Sequence, residues 1–142
     1  MIPPRLSLVS IGARDIASLK TFYQRLGWET RSTADDFAAF PLGGAVLALY
    51  ALDALAGEVN LPAPTGEGFK GFTCAINVEH EEMVDAAIEA ATEAGARVLA
   101  EPVTREWGGR SAYFADPEGN VWEVAWLPNA EFDARGGLIW PF

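Results

Sequence analysis

The chain has 142 residues, 50% of them hydrophobic, which suits one compact domain with a substantial core. Twenty acidic residues against ten basic ones leave a net charge of −10, so a basic groove is excluded, and neither nucleic acid nor an anionic membrane surface is expected as the main partner. The single cysteine, Cys74, excludes an intrachain disulfide, no apolar run approaches the roughly 20 residues of a membrane span, and the opening Met-Ile-Pro-Pro-Arg does not read as a secretory leader, so a cytoplasmic protein is expected.

Leu6 to Ala13 is mostly apolar and alternating, as a strand is. Asp15 follows as a helix N-cap, Ile16, Leu19, Phe22, Tyr23 and Leu26 share one helical face, and Gly27 closes the helix. Phe37 to Phe40 and Ala45 to Leu52 predict two strands separated by Pro41 and the turn pair Gly43-Gly44. Glu58 to Gly68 carries two prolines and two glycines and reads as a linker or a loop over a site.

The second half repeats that order. Phe72 to Val78 predicts a strand and Glu81 to Ala94 a helix, with Met83, Ala87, Ile88 and Ala91 as its apolar stripe and Gly95 as its cap. Arg97 to Leu99 predicts a further strand. Two more flank Asp116-Pro-Glu-Gly119, where Pro sets φ near −65° in a tight turn and Gly accepts a positive φ near its end. The tail from Pro128 to Phe142 has no clear period, but Phe132, Leu138, Ile139, Trp140 and Phe142 should pack on the body or on a second subunit.

Within the last predicted strand, Glu123 is a carboxylate in an apolar setting and needs a partner. Strand alternation puts Val121, Glu123 and Ala125 on one face and Trp122, Val124 and Trp126 on the other.

Gly12-Ala-Arg-Asp-Ile16, Phe22-Tyr23 and Leu26-Gly27-Trp28 in the first half, with Tyr113-Phe-Ala-Asp-Pro-Glu-Gly-Asn-Val-Trp-Glu123 in the second, resemble the vicinal oxygen chelate superfamily of glyoxalases, bleomycin-resistance proteins and extradiol dioxygenases. The run from Trp107 to Trp126 looks like its glyoxalase-like bacterial branch. The resemblance implies an α+β fold of two βαβββ modules whose curved mixed sheet surrounds a cavity, often in a homodimer. The modules would span about 5–56 and about 70–127, with a linker at about 57–69 and the tail at 128–142. It also implies a four-ligand metal site in metal-using members, whose counterparts here are Leu8, Ala48, Thr73 and Glu123. Only Glu123 has the expected chemistry, so no metal and no cofactor are expected.

By the same resemblance the Glu123 face lines the cavity, together with Ser10, Tyr50, Thr73 and Asn77. Glu123 reads as a general base, as a ligand anchor, or as a carboxylate satisfied by Arg110, Tyr50 or Asn77. Trp107 reads as a stacking residue at the cavity mouth or as a packing anchor. Cys74 has the parity of the helix-facing side, as an inert thiol would, and the lone histidine, His80, reads as structural or solvent-facing. Three functions remain open: a metal-independent binder of a small apolar or aromatic ligand, a glyoxalase-like lyase or isomerase using Glu123 as base, and a drug-binding resistance protein of the bleomycin-resistance type.

Overall fold

A computed structural model describes residues 1–140. The chain forms two compact units, each with its own sheet.

The first unit, Met1–Thr65 with Ala134–Gly137, runs β1 (Leu8–Ala13), α1 (Ile16–Arg25), β2 (Phe37–Pro41), β3 (Val46–Ala51) and α2 (Leu52–Glu58). Asp15 starts α1 as expected, its carboxylate accepting from Ser18 N at 3.0 Å and Ser18 Oγ at 2.7 Å. The sheet order is β1-β3-β2, with β1 parallel to β3 and β2 antiparallel to it. Ile11, Leu47, Leu49, Ala38 and Phe40 share the face that α1 covers with Leu19, Phe22 and Tyr23, and all are buried. Tyr23 sits 5.7 Å from Phe40 and stacks on Trp28 at 5.2 Å, which ties the end of α1 to the sheet.

Two features of the first unit have causes in packing between segments. Along β2, the Thr30 hydroxyl donates to the Ala39 carbonyl and the Ser32 hydroxyl to the Phe37 carbonyl, each at 2.6 Å. Alternate carbonyls of this edge are therefore satisfied by side chains, and residues 28–34 need no strand of their own. The linker expected from residue 57 is preceded by α2, which begins at Leu52, where a continuing strand was expected. Leu52 lies so close over Gly12 that a Cβ there would meet it.

The second unit, Gly66–Asp133 with the segment that begins at Leu138, carries the complete βαβββ order: β4 (Cys74–Val78), α3 (Glu82–Ala94), β5 (Arg97–Thr104), β6 (Arg110–Ala115) and β7 (Val121–Trp126). Its sheet order is β4-β7-β6-β5, with β4 parallel to β7 and the remaining pairs antiparallel. Val84, Ile88, Ala91 and Ala94 form the buried stripe of α3. This corrects the expected stripe: Met83, one residue and about 100° from Val84, is exposed. Ala112, Phe114, Trp122 and Val124 are buried on the sheet, and the Phe114 and Trp122 rings stack at 6.4 Å. In the tail, β8 (Glu131–Phe132) pairs with β9 (Leu138–Ile139), while the expected packing of Phe142 lies outside the described residues.

The β6–β7 turn is held from inside. Gly119 N donates to Asp116 O at 3.0 Å, and the Asp116 carboxylate accepts from Glu118 N, Asn120 N and Asn120 Nδ2 at 2.8–2.9 Å. Lys70 Nζ closes it from outside, donating to Asn120 Oδ1 and Glu118 O. The run most diagnostic of kinship is thus a rigid turn that sets the β6–β7 register. Among the described residues, no helix is long and apolar enough to cross a membrane.

Candidate functional site

The two faces of the second sheet are told apart by Arg110. Its Nε and Nη2 grip the Asp85 carboxylate on α3 at 2.7 and 2.8 Å, so Arg110, Ala112 and Phe114 face the helix. Ser111, Tyr113 and Ala115 therefore face the other way. The register extends this assignment across the strands. Ala75, Glu123, Tyr113 and Ala100 form one row, and Asn77, Ala125, Ser111 and Val103 form the next.

Glu123 meets Tyr113 in the first row, its Oε2 accepting from the phenol at 2.5 Å. That hydrogen bond raises the Tyr113 phenol above its ordinary pKa; partial burial and the carboxylate charge act in the same direction, against the opposing positive charge of Arg105. The phenol remains the donor at neutral pH. Glu123 Oε1 makes no hydrogen bond to the described residues and is free to accept one from a ligand.

Arg105 reaches this face from the end of β5. Its Nε donates to the Ser111 hydroxyl at 2.7 Å, and Ser111 is only 2% exposed, so the guanidinium is held at a fixed point beside Tyr113. The backbone turns sharply here, with Arg105 N donating to Gly109 O at 2.8 Å and Gly108 N to Arg105 O at 3.0 Å. A Cβ on Gly109, which by alternation would point to the Ser111 face, would run into the Trp107 ring. The indole accordingly lies on the same face as Arg105 and remains 54% exposed. Glu123 and Tyr113 are thus flanked in their row by Ala75 and Ala100, with Ala125 beside Ser111 in the next row, and Arg105 and Trp107 lie on the same face.

The expected site residues separate on this geometry. Asn77 and Trp107 share the Glu123 face, whereas Arg110 is on the opposite face, engaged by Asp85, and is corrected as a partner of Glu123. The Asp85 carboxyl is correspondingly held below its ordinary pKa by the Arg110 hydrogen bonds. Thr73 lies exposed just before β4. Ser10 and Tyr50 belong to the first unit, on the sheet face opposite α1, where Ser10 is exposed and the Tyr50 hydroxyl donates to Glu58 on α2 at 2.8 Å. Tyr50 is thus not the residue that satisfies Glu123. That contact raises the Tyr50 phenol as well. Cys74 pairs with Trp122 on the α3 side, and desolvation pushes its thiol pKa up, away from nucleophilic use. His80 is exposed.

Tyr113 and Arg105 are the residues that the sequence reading missed. Tyr113 was within reach of it: in a hairpin closed at Asp116–Asn120, Ala115 faces Val121 and Tyr113 faces Glu123. Arg105 carried no such signal, because two register shifts in β5 decide where it falls.

The metal donors that the resemblance implied can be tested on their chemistry. Leu8 and Ala48 in the first unit offer no donor atom, Thr73 offers one hydroxyl, and Glu123 has one oxygen already on Tyr113. Among the described residues, no group of three or more His, Cys, Asp or Glu side chains could hold a metal ion. These side chains do not make up a zinc-type site, which takes at least three protein ligands.

The sequence model of the glyoxalase/bleomycin resistance protein/dioxygenase superfamily matches residues 5–124. The chain belongs to that superfamily. Among solved structures, a glyoxalase-related enzyme from Fulvimarina pelagi superposes on this superfamily member with a TM-score of 0.88 at 25% identity, covering 96% of this chain and 98% of its own. A glyoxalase/bleomycin resistance protein/dioxygenase family enzyme from Burkholderia phytofirmans PsJN gives 0.74 at 27% identity over 86% of this chain and 98% of its own. A lactoylglutathione lyase from Agrobacterium tumefaciens, at 20% identity, TM-score 0.67 and coverage of 89% and 96%, shares the fold. No match was found among curated proteins.

Proposed function

We propose that this superfamily member binds a small apolar or aromatic molecule without a metal, on the β4–β7 face that carries Glu123. The observation that carries the reading is the pairing of Glu123 with Tyr113 in a row flanked by Ala75 and Ala100. The pair leaves one carboxylate oxygen for a ligand donor, and the small side chains leave room for an apolar body. Trp107 supplies an aromatic surface on the same face. The missing donor set at Leu8, Ala48 and Thr73 supports metal independence.

Thermal unfolding against a panel of small aromatic compounds, in chelator, tests this. A ligand at about 100 times its Kd adds about 2.7 kcal/mol of stability, a shift that Glu123→Ala should abolish. Stabilisation that appears only after a divalent ion is added would overturn metal independence.

A lyase or isomerase is the second reading, favoured by the same unengaged Oε1, which could accept a proton from carbon next to a carbonyl. Glu123→Gln separates the two: it should abolish turnover with binding retained if Glu123 is a base, while absence of turnover on carbonyl substrates rejects this reading.

A further inference from the structure

We propose that Arg105 is a carboxylate-recognition residue, so that the molecule held beside Glu123 is a small aromatic carboxylic acid; this rests on the ligand face proposed above. An arginine has five N–H donors, and Ser111 takes only the one on Nε. Nη1 and Nη2 donate to no group among the described residues, which leaves the end-on pair that matches both oxygens of a carboxylate. The chain carries a net charge of −10, yet this guanidinium has no acidic partner among the described residues.

The backbone places it there. Between the pairs Arg97↔Ala115 and Thr104↔Arg110, β5 takes seven residue steps where β6 takes five, so two bulges draw Arg105 one row closer to Tyr113 than a regular ladder would. The buried Ser111 hydroxyl then fixes the head group before any ligand arrives, which removes much of the entropy cost of ordering a long side chain. Tyr113, two residues along β6 from Ser111 on the same face, donates to Glu123 and so keeps a neutral phenol on the face that carries both charged groups. The Trp107 ring on the same face can stack against an aromatic body whose carboxylate is on Arg105.

The test compares phenylacetate with phenylacetamide, and benzoate with benzamide, by calorimetry on the full chain in chelator. Each acid should bind at least tenfold more tightly than its amide. Arg105→Gln should erase that preference, Arg105→Lys should retain part of it, and Arg110→Gln should leave it unchanged, with circular dichroism reporting that each variant is folded. If Arg105→Gln does not fold, Arg105→Lys alone decides: a preference reduced from wild type supports the proposal, and an unchanged one overturns it. Equal binding of acid and amide by the wild type overturns carboxylate recognition and leaves the ligand face standing. Binding by no member of either series overturns both.

Discussion

Tyr113 stands across the β6–β7 ladder from Glu123 and donates a 2.5 Å hydrogen bond to its Oε2. One oxygen of the Glu123 carboxylate is thereby committed to the protein, and the other is left for chemistry or for a ligand. The same contact raises the phenol's pKa. A raised acid stabilises the fold fully below its unfolded value, about 10, and loses that contribution as pH rises through the folded value. Tyrosinate absorbance should therefore show Tyr113 ionising above its ordinary range, and Glu123→Gln should bring it down. Tyr50 is raised by Glu58, so the titration is best read in a Glu58→Gln background.

At the acid end the sign reverses. Asp85 is held low by Arg110, so its contribution is present above the unfolded carboxylate value of about 3.9 and is lost as pH falls through the folded one. Urea midpoints measured from neutral to acid pH should fall less steeply for Arg110→Gln than for the wild type. The effect is small, because the Asp85 side chain is 47% exposed and solvent screens the pair.

The stripe of α3 can be checked by truncation. Ile88→Ala removes a side chain that is 5% exposed and should cost about 2–5 kcal/mol. Met83→Ala, on the exposed flank, should stay within about 0.5 kcal/mol. Equal losses in urea unfolding would restore the stripe expected from sequence.

Asp116 is 5% exposed and accepts three hydrogen bonds inside its turn. Asp116→Ala should destabilise the protein by about 3 kcal/mol or more, because three donors lose their acceptor at once. Asp116→Asn retains an acceptor for the two backbone N–H groups and should cost less. Denaturant unfolding of the two variants gives the comparison.

Gly109→Ala introduces a Cβ where the Trp107 ring already lies. Overpacking of this kind costs about 1–3 kcal/mol. Displacement of the indole should appear as a change in tryptophan fluorescence, whereas an unchanged spectrum would mean that the ring is not seated on Gly109.

Much of the fold was legible in the sequence because it depends on local chemistry. Asp15 caps α1 since a short carboxylate reaches the first free N–H groups of a helix. Gly95 ends α3 in the left-handed conformation that glycine adopts without penalty. The strand faces of β1, β3 and β7 follow from alternation. What escaped had a tertiary cause. The α2 helix depends on Leu52 finding the space above Gly12, and the Thr30 and Ser32 hydroxyls reach carbonyls nine and five residues away only once β2 has formed. The stripe of α3 was misplaced because Met83 and Val84 are both apolar, and only packing selects between faces about 100° apart.

For the site, the sequence by itself determined that Glu123 is a carboxylate in an apolar strand and that a Pro-Glu-Gly turn precedes it, and its resemblance to the superfamily implied the counterparts Leu8, Ala48 and Thr73, which are poor metal donors. Only the tertiary structure decided its company. Arg110 was one of the three candidate partners of Glu123, but α3 brings Asp85 to it and holds it on the far face. Arg105 became the cation of the Glu123 face because two bulges, invisible to composition and periodicity, shift β5 against β6. Residue type and alternation are properties of the chain; which charge meets which is a property of register, and register is settled when strands pair.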